Sequence, residues 1–187
     1  MILKVARMGH PVLRQRAREV TGREIASGVL EQILADMFDT MDEYEGIGLA
    51  APQVHVSLRL IVLEVPAGLR DPGDPAIPRT AMINPVVTPI TDGTMQNWEG
   101  CLSVPDLIGQ VERPRKVHVA WTASDGTDHR QEFEGFPAAA VQHEVDHLDG
   151  VLYVERIQDL KTFQFTREFS RFHARTDGVP EGHDDEG

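Results

Sequence analysis

Gln142-His143-Glu144-Val145-Asp146-His147-Leu148-Asp149-Gly150 holds the pattern H-E-x-x-H. On a helix, residues four apart share one face, so one metal ion can bridge the imidazoles of His143 and His147. Glu144 follows the first of them and stands close enough to a water in the ion's open position to take its proton. The flanks support a helix from about Pro137 to Asp149. Proline suits a first helical turn, where its missing N–H costs nothing, and Gly150 suits the C-terminal cap. The other reading of the same letters is an amphipathic helix with two surface or capping histidines behind the apolar run Phe136 to Val141. A hydrolytic site needs a third protein ligand and an open position for water, so the source of that ligand decides the family.

Metzincin-type proteases continue the pattern as H-E-x-x-H-x-x-G-x-x-H. This chain matches through Gly150 and then has Tyr153 where the third histidine would stand. Thermolysin-like enzymes take a glutamate from a later helix, and Glu168 is the residue at a comparable distance. It falls in Asp159 to Phe172, which reads as an exposed helix where a glutamate is ordinarily just solvated. Upstream lies the sole cysteine, in Trp98-Glu99-Gly100-Cys101-Leu102-Ser103-Val104-Pro105. A thiolate is a strong ligand for zinc or ferrous iron, although a lone cysteine is often only a small buried hydrophobe.

A third segment, Glu45-Gly46-Ile47-Gly48-Leu49-Ala50-Ala51-Pro52-Gln53-Val54, has glycines and alanines that allow another backbone to come close. Its Gln53 amide could donate to a developing oxyanion. No Lys followed by Ser or Thr completes a phosphate-binding loop, so a nucleotide site is disfavoured. An ordinary glycine-rich connector remains the alternative.

Taken in order, G-I-G-L-A-A-P-Q at 46–53, E-G-C-L-S-V at 99–104 and Q-H-E-V-D-H-L-D-G at 142–150 resemble the three signature segments of the peptide deformylases. Gly9-His10-Pro11-Val12-Leu13-Arg14 resembles that family's amino-terminal segment, and Gly150 to Ile157 its closing stretch. The resemblance implies hydrolytic removal of the formyl group from N-formylmethionine at the start of nascent polypeptides, with release of formate. It implies one divalent metal ion held by Cys101, His143 and His147, ferrous iron in the cell, with nickel, cobalt or zinc able to substitute. Glu144 would be the general base, with the Gln53 side chain and the Leu102 backbone N–H as oxyanion donors. The peptide would pair in strand fashion with Ile47, Gly48 and Gly100. Its methionine would enter an apolar pocket of Phe136, Ala139, Ala140 and His143, with Leu102 opposite. Ile108 departs from relatives that carry an arginine seven residues after the metal cysteine. Ala139 and Ala140 are smaller than many relatives have, which would widen the pocket or be compensated by a neighbour.

The 187 residues suffice for one catalytic domain, expected over 1–175, with an acidic, disordered tail over 176–187. A formal charge of −12 argues against binding nucleic acid or an anionic membrane through a basic patch. One cysteine excludes an internal disulfide, and the opening residues lack an apolar stretch suited to a signal or a membrane span. A cytoplasmic monomer acting on nascent chains near the ribosome exit is expected.

The remaining pattern is α+β: antiparallel sheets packed around a central H-E-x-x-H helix. Apolar residues at Ile25, Val29, Ile33, Leu34, Met37 and Met41 predict one amphipathic helix over Arg23 to Tyr44. Strands are predicted over Leu58 to Val65, Ala81 to Asn84, Val86 to Thr91, Thr94 to Trp98, Ile108 to Glu112, Lys116 to Thr122 and Thr127 to Phe133. Pro66 to Pro78 reads as a surface loop, and Asp92-Gly93 and Asp125-Gly126 read as hairpin turns. Trp98, Trp121 and Phe133 read as packing residues. Glu99, Arg113 and Asp146 are expected to form a buried charge network that orients the ligands. Two competing readings remain: a deformylase-like paralogue or metallopeptidase acting on another amide, and a non-catalytic structural metal site. The second would need neither Glu144 nor Gln53.

Overall fold

The computed structural model describes residues 1–90 and 93–173. The expected acidic tail therefore lies outside the described residues. The elements run α1 (Gly22–Ala26), α2 (Glu31–Glu43), β1 (Gly48–Ala50), β2 (Leu60–Val65), β3 (Ile77–Pro89), β4 (Thr94–Cys101), β5 (Val104–Pro114), β6 (Lys116–Thr122), β7 (Asp128–Glu134), α3 (Phe136–Leu148), β8 (Gln164–Phe165) and α4 (Thr166–Phe172). Two antiparallel sheets result, one in the order β1-β2-β3-β6-β7 and one in the order β4-β5-β8.

Strand β2 shows why the layers stack as they do. Successive side chains point to opposite faces of a sheet, and in β2 both sets are apolar. Ile61, Leu63 and Val65 pack with Val141, Val145 and Leu148 of α3, while Leu60 and Val62 pack with Leu34, Met37 and Met41 of α2. Between Phe136 and Leu148, only Phe136 and His143 are less than fully buried. A helix so enclosed favours small residues, and Ala138, Ala139 and Ala140 are all buried, Ala138 and Ala140 within the cluster that holds β2. A third cluster, with Leu13, Val104, Val111, Leu152 and Tyr153, ties the small sheet to the segment after α3.

Several expectations change. The helix predicted over Arg23 to Tyr44 is two helices, because the chain turns at Gly28, whose φ of +71° interrupts it. Apolar spacing continues across the break, so periodicity alone does not reveal it. The strands predicted on either side of Pro85 are one strand, β3, bent at Asn84 (φ +52°), where the register shifts. The Asn84 side chain bonds Val20 through both N–H and C=O, which replaces the lost ladder bonds. Asp92 of the expected Asp92-Gly93 turn lies outside the described residues, and β3 and β4 belong to different sheets, whereas Asp125-Gly126 does join β6 to β7. The exposed helix expected over Asp159 to Phe172 is instead a 3-10 turn (Leu160–Thr162), β8 and α4. Among the described residues no helix is long and apolar enough to cross a membrane.

Candidate active site

Helix α3 delivers His143 and His147 to one side and the β4–β5 hairpin brings Cys101 to meet them. Candidate ligand atoms of the three residues all lie within 4.8 Å of one another, and Cys101 Sγ is 3.3 Å from His147 Nε2. Glu168, the other third-ligand candidate, is exposed on α4 and takes no part. Cysteine reaches the site because β5 carries three extra residues opposite the strand end. Gly100 pairs with Ile108, yet Cys101 pairs with Val104, so Pro105, Asp106 and Leu107 bulge out. Tyr153 holds that bulge by donating its hydroxyl to Leu107 O at 3.0 Å, and its ring stacks on His143 with centroids 6.1 Å apart. The residue at the metzincin third-ligand position thus braces the strand that brings the cysteine.

The donor set suits a divalent cation. Burial alone would raise the Cys101 thiol, but the facing His147 and His143 outweigh it and hold the sulfur well below its ordinary pKa. Ser103 N–H donates to the same sulfur at 3.4 Å. A cation takes the thiolate and neutral imidazole nitrogens, so its binding would release protons. His147 Nδ1 is buried and has no hydrogen-bond partner among the described residues. His143 Nδ1–H donates to Glu99 Oε2 at 2.9 Å, which leaves Nε2 as the nitrogen free for an ion.

Glu99 opens a buried chain of charges. Arg113 grips it with Nε and an Nη, each at 2.8 Å, and reaches Asp146 with the other Nη at 2.5 Å. Burial works against the Glu99 anion, but Arg113 and His143 prevail and hold its carboxyl at about 2. Arg156 then closes the far side of Asp146 with two bonds of 2.5 Å. Glu99, Arg113 and Asp146 were legible as neighbours of the ligands. Arg156 was not, because the chain reverses after α3 and no helical spacing links it to Asp146.

Glu144 points from α3 toward β1. Its carboxylate lies so close to Gly48 that any β-carbon there would sit 2.5 Å from Oε1. Burial raises its pKa to about 7, and its Oε2 has no hydrogen-bond partner among the described residues. Gln53 is fixed at both ends, since its Oε1 accepts from Ala50 N–H at 2.8 Å. Its Nε2 must then face the site, where it donates to Ser103 Oγ at 3.2 Å and approaches Cys101 Sγ at 3.5 Å. Ser103 has no role in the sequence reading.

Gln53, Glu99, Cys101, His143 and Glu144 face one cleft of about 940 Å³. Ile47, Gly48 and Gln53 line it from the β1 side, Gly100, Cys101 and Leu102 from the β4 side, and Phe136, Ala139, Ala140, His143 and Glu144 from α3. His147 lies behind Cys101 and is not part of the lining. Ile108 is buried and also absent from it. Trp98, expected only to pack, rests on Phe169 at 4.5 Å and lines the cleft too. Trp121 and Phe133 are core residues, as expected.

Comparison with known proteins points to one family. The sequence profile of the polypeptide deformylase family matches residues 2–163. The chain is 46% identical over 165 residues to peptide deformylase 1 of Xanthomonas campestris pv. campestris, covering 88% of this chain and 95% of that one. It is 39% identical over 168 residues to a peptide deformylase of Leptospira biflexa, covering 89% and 94%. Among solved structures, a Met-Ala-Ser-bound class I type b peptide deformylase from Acinetobacter baumannii superposes with a TM-score of 0.78 at 44% identity, covering 84% of this chain and 99% of that one. A peptide deformylase from Thermotoga maritima gives 0.72 at 36%, covering 85% and 99%. The chain belongs to the polypeptide deformylase family.

Proposed function

We propose that the protein hydrolyses the formyl amide of N-formylmethionyl polypeptides, releasing formate and a free amino terminus. The observation that carries this reading is the grouping of Cys101, His143 and His147 at the wall of a cleft that the Glu144 carboxylate and the Gln53 amide also line. The three ligands would hold one divalent ion, with ferrous iron as the cellular choice and nickel, cobalt or zinc as substitutes, since one thiolate and two imidazoles accept all four. When bound, the ion supplies Lewis acidity, which makes water nucleophilic near neutral pH and polarises the formyl oxygen.

The chain's own residues handle the protons and the charge. Glu144 accepts the proton of the attacking water at its carboxylate and passes it to the departing amine nitrogen. A carboxyl whose pKa burial has raised to about 7 can both take and give a proton at neutral pH. Gln53 Nε2–H and the Leu102 backbone N–H donate to the oxygen on which negative charge grows. Each such donor typically contributes about 3 kcal/mol to the transition state. The Glu99–Arg113–Asp146 chain keeps His143 in one tautomer.

Among the described residues, strand β1 pairs only with β2, and β4 only with β5, so each lies at the edge of its sheet. Both edges border the cleft, through Ile47 and Gly48 on one and Gly100 on the other. An extended peptide would pair with them by main-chain bonds that are indifferent to its sequence. Phe136, Ala139, Ala140 and His143 would receive the methionine side chain. The partner is then the nascent chain as it leaves the ribosome, met in the cytoplasm by a single-domain monomer.

The test is formate release from an N-formyl-Met peptide by protein prepared without oxygen and loaded with ferrous iron or nickel. Fast release that disappears in Glu144→Ala supports the reading. No release by intact, loaded protein would move other acyl-amine or peptide substrates to the front.

A further inference from the structure

The β2–β3 loop, residues 66–76, is folded back on itself by Gly68 N–H to Asp74 O and Asp74 N–H to Asp71 O, both 2.9 Å. It lays Leu69 against the core cluster that contains α3 and places Arg70 in the cleft wall. The Arg70 guanidinium sits 5.3 Å from the centre of the Phe136 ring. It forms no hydrogen bond or ion pair with any other described residue. A cation–π contact uses no hydrogen bond, so the guanidinium keeps its in-plane N–H groups free, the edge that matches a carboxylate.

The position of that free edge follows from α3. Glu144, Ala140 and Phe136 are spaced by four and all face the cleft, so the step from the reacting centre to Phe136 spans two turns, about 12 Å. A peptide with its formyl group at Glu144 and its first side chain between Ala140 and Phe136 therefore runs toward Arg70. Alternate side chains of an extended strand share a face and lie roughly 7 Å apart. The side chain of the third residue falls beyond Phe136 on the methionine side, where Arg70 stands. Resting on the proposed function, we infer that Arg70 is a specificity-determining residue that favours nascent chains with Asp or Glu at the third position.

The test compares N-formyl-Met-Ala-Xaa-Ala peptides, amidated at the C-terminus, with Xaa as Glu, Gln or Lys, at low ionic strength and on metal-loaded protein. Glu should exceed Lys in kcat/KM by about fivefold, the upper range for a partly exposed ion pair, with the difference carried by KM. The ratio should fall below twofold in Arg70→Gln and in about 0.5 M salt, which screens such pairs. Moving the Glu to position two should abolish it. A wild-type ratio within twofold, an unchanged ratio in Arg70→Gln, or a preference that follows position two each overturns the inference. Turnover of the Gln peptide tests the proposed function separately; if it proceeds without charge preference, only the Arg70 assignment fails. If no peptide is turned over, both fail.

Discussion

A methyl group on Gly48 would lie 2.5 Å from Glu144 Oε1 and 2.9 Å from its Cδ. The glycine of the first signature segment and the glutamate of the third are therefore two halves of one feature: the strand yields space and the carboxylate fills it. Gly48→Ala should push Glu144 off its position while β1 keeps its pairing with β2. We expect kcat to drop at least about 100-fold, the lower end for loss of a general base, with a stability cost of about 1–3 kcal/mol for overpacking. Formate release with parallel thermal unfolding checks this, and near-normal turnover would refute it.

Gln53→Ala should separate oxyanion donation from metal holding. The amide donates to Ser103 Oγ and only approaches the ligand Cys101 at 3.5 Å, so metal content should stay near the wild-type level while kcat falls about 100- to 1000-fold. Steady-state kinetics together with metal analysis decides the matter. Equal loss of metal and turnover would show that Gln53 supports the ligands instead.

The buried charge chain predicts a graded response. Arg113→Ala leaves Glu99 and Asp146 as buried anions short of a partner, which costs about 3–5 kcal/mol and should loosen metal binding at least about tenfold. Arg156, whose side chain is 43% exposed, should matter less, about 1 kcal/mol or below. Urea unfolding and competitive metal titration of both variants would expose any reversal of that order.

At the entrance to α1, Arg18, then the Thr21 N–H and hydroxyl, hold the Glu24 carboxyl at about 2, below its ordinary 4.5. The folded pKa is the lower one, so on acidification the unfolded chain takes up the proton first. The contribution is complete above pH 4.5 and disappears as pH falls toward 2. Glu24→Gln should flatten the stability curve within that window and leave the slope above pH 6 unchanged. Superimposable acid limbs for the two proteins would contradict this.

How far the sequence exposed this molecule depends on the range of the interactions involved. The H-E-x-x-H helix was legible because ligand spacing, Pro137 and Gly150 are local signals that agree. Cys101, Gln53 and Glu144 were placed by segment resemblance, and the structure puts them in the same cleft. What stayed hidden is long-range. The break at Gly28 leaves the apolar period intact, and the bulge that turns Cys101 inward depends on Tyr153, 46 residues away from Leu107. Arg156 meets Asp146 only after the chain reverses, and Arg70 sits in a loop whose composition marks it as surface and nothing more.

The central claim is that one metal site and one base act together on a formyl amide. The most direct measurement pairs metal content with formate release in the wild type, Glu144→Gln and His147→Ala, all loaded without oxygen. The account predicts one ion per chain and rapid release in the wild type, a bound ion with release abolished in Glu144→Gln, and loss of both in His147→Ala. Wild-type turnover by Glu144→Gln, or rapid release by His147→Ala without its metal, would contradict it.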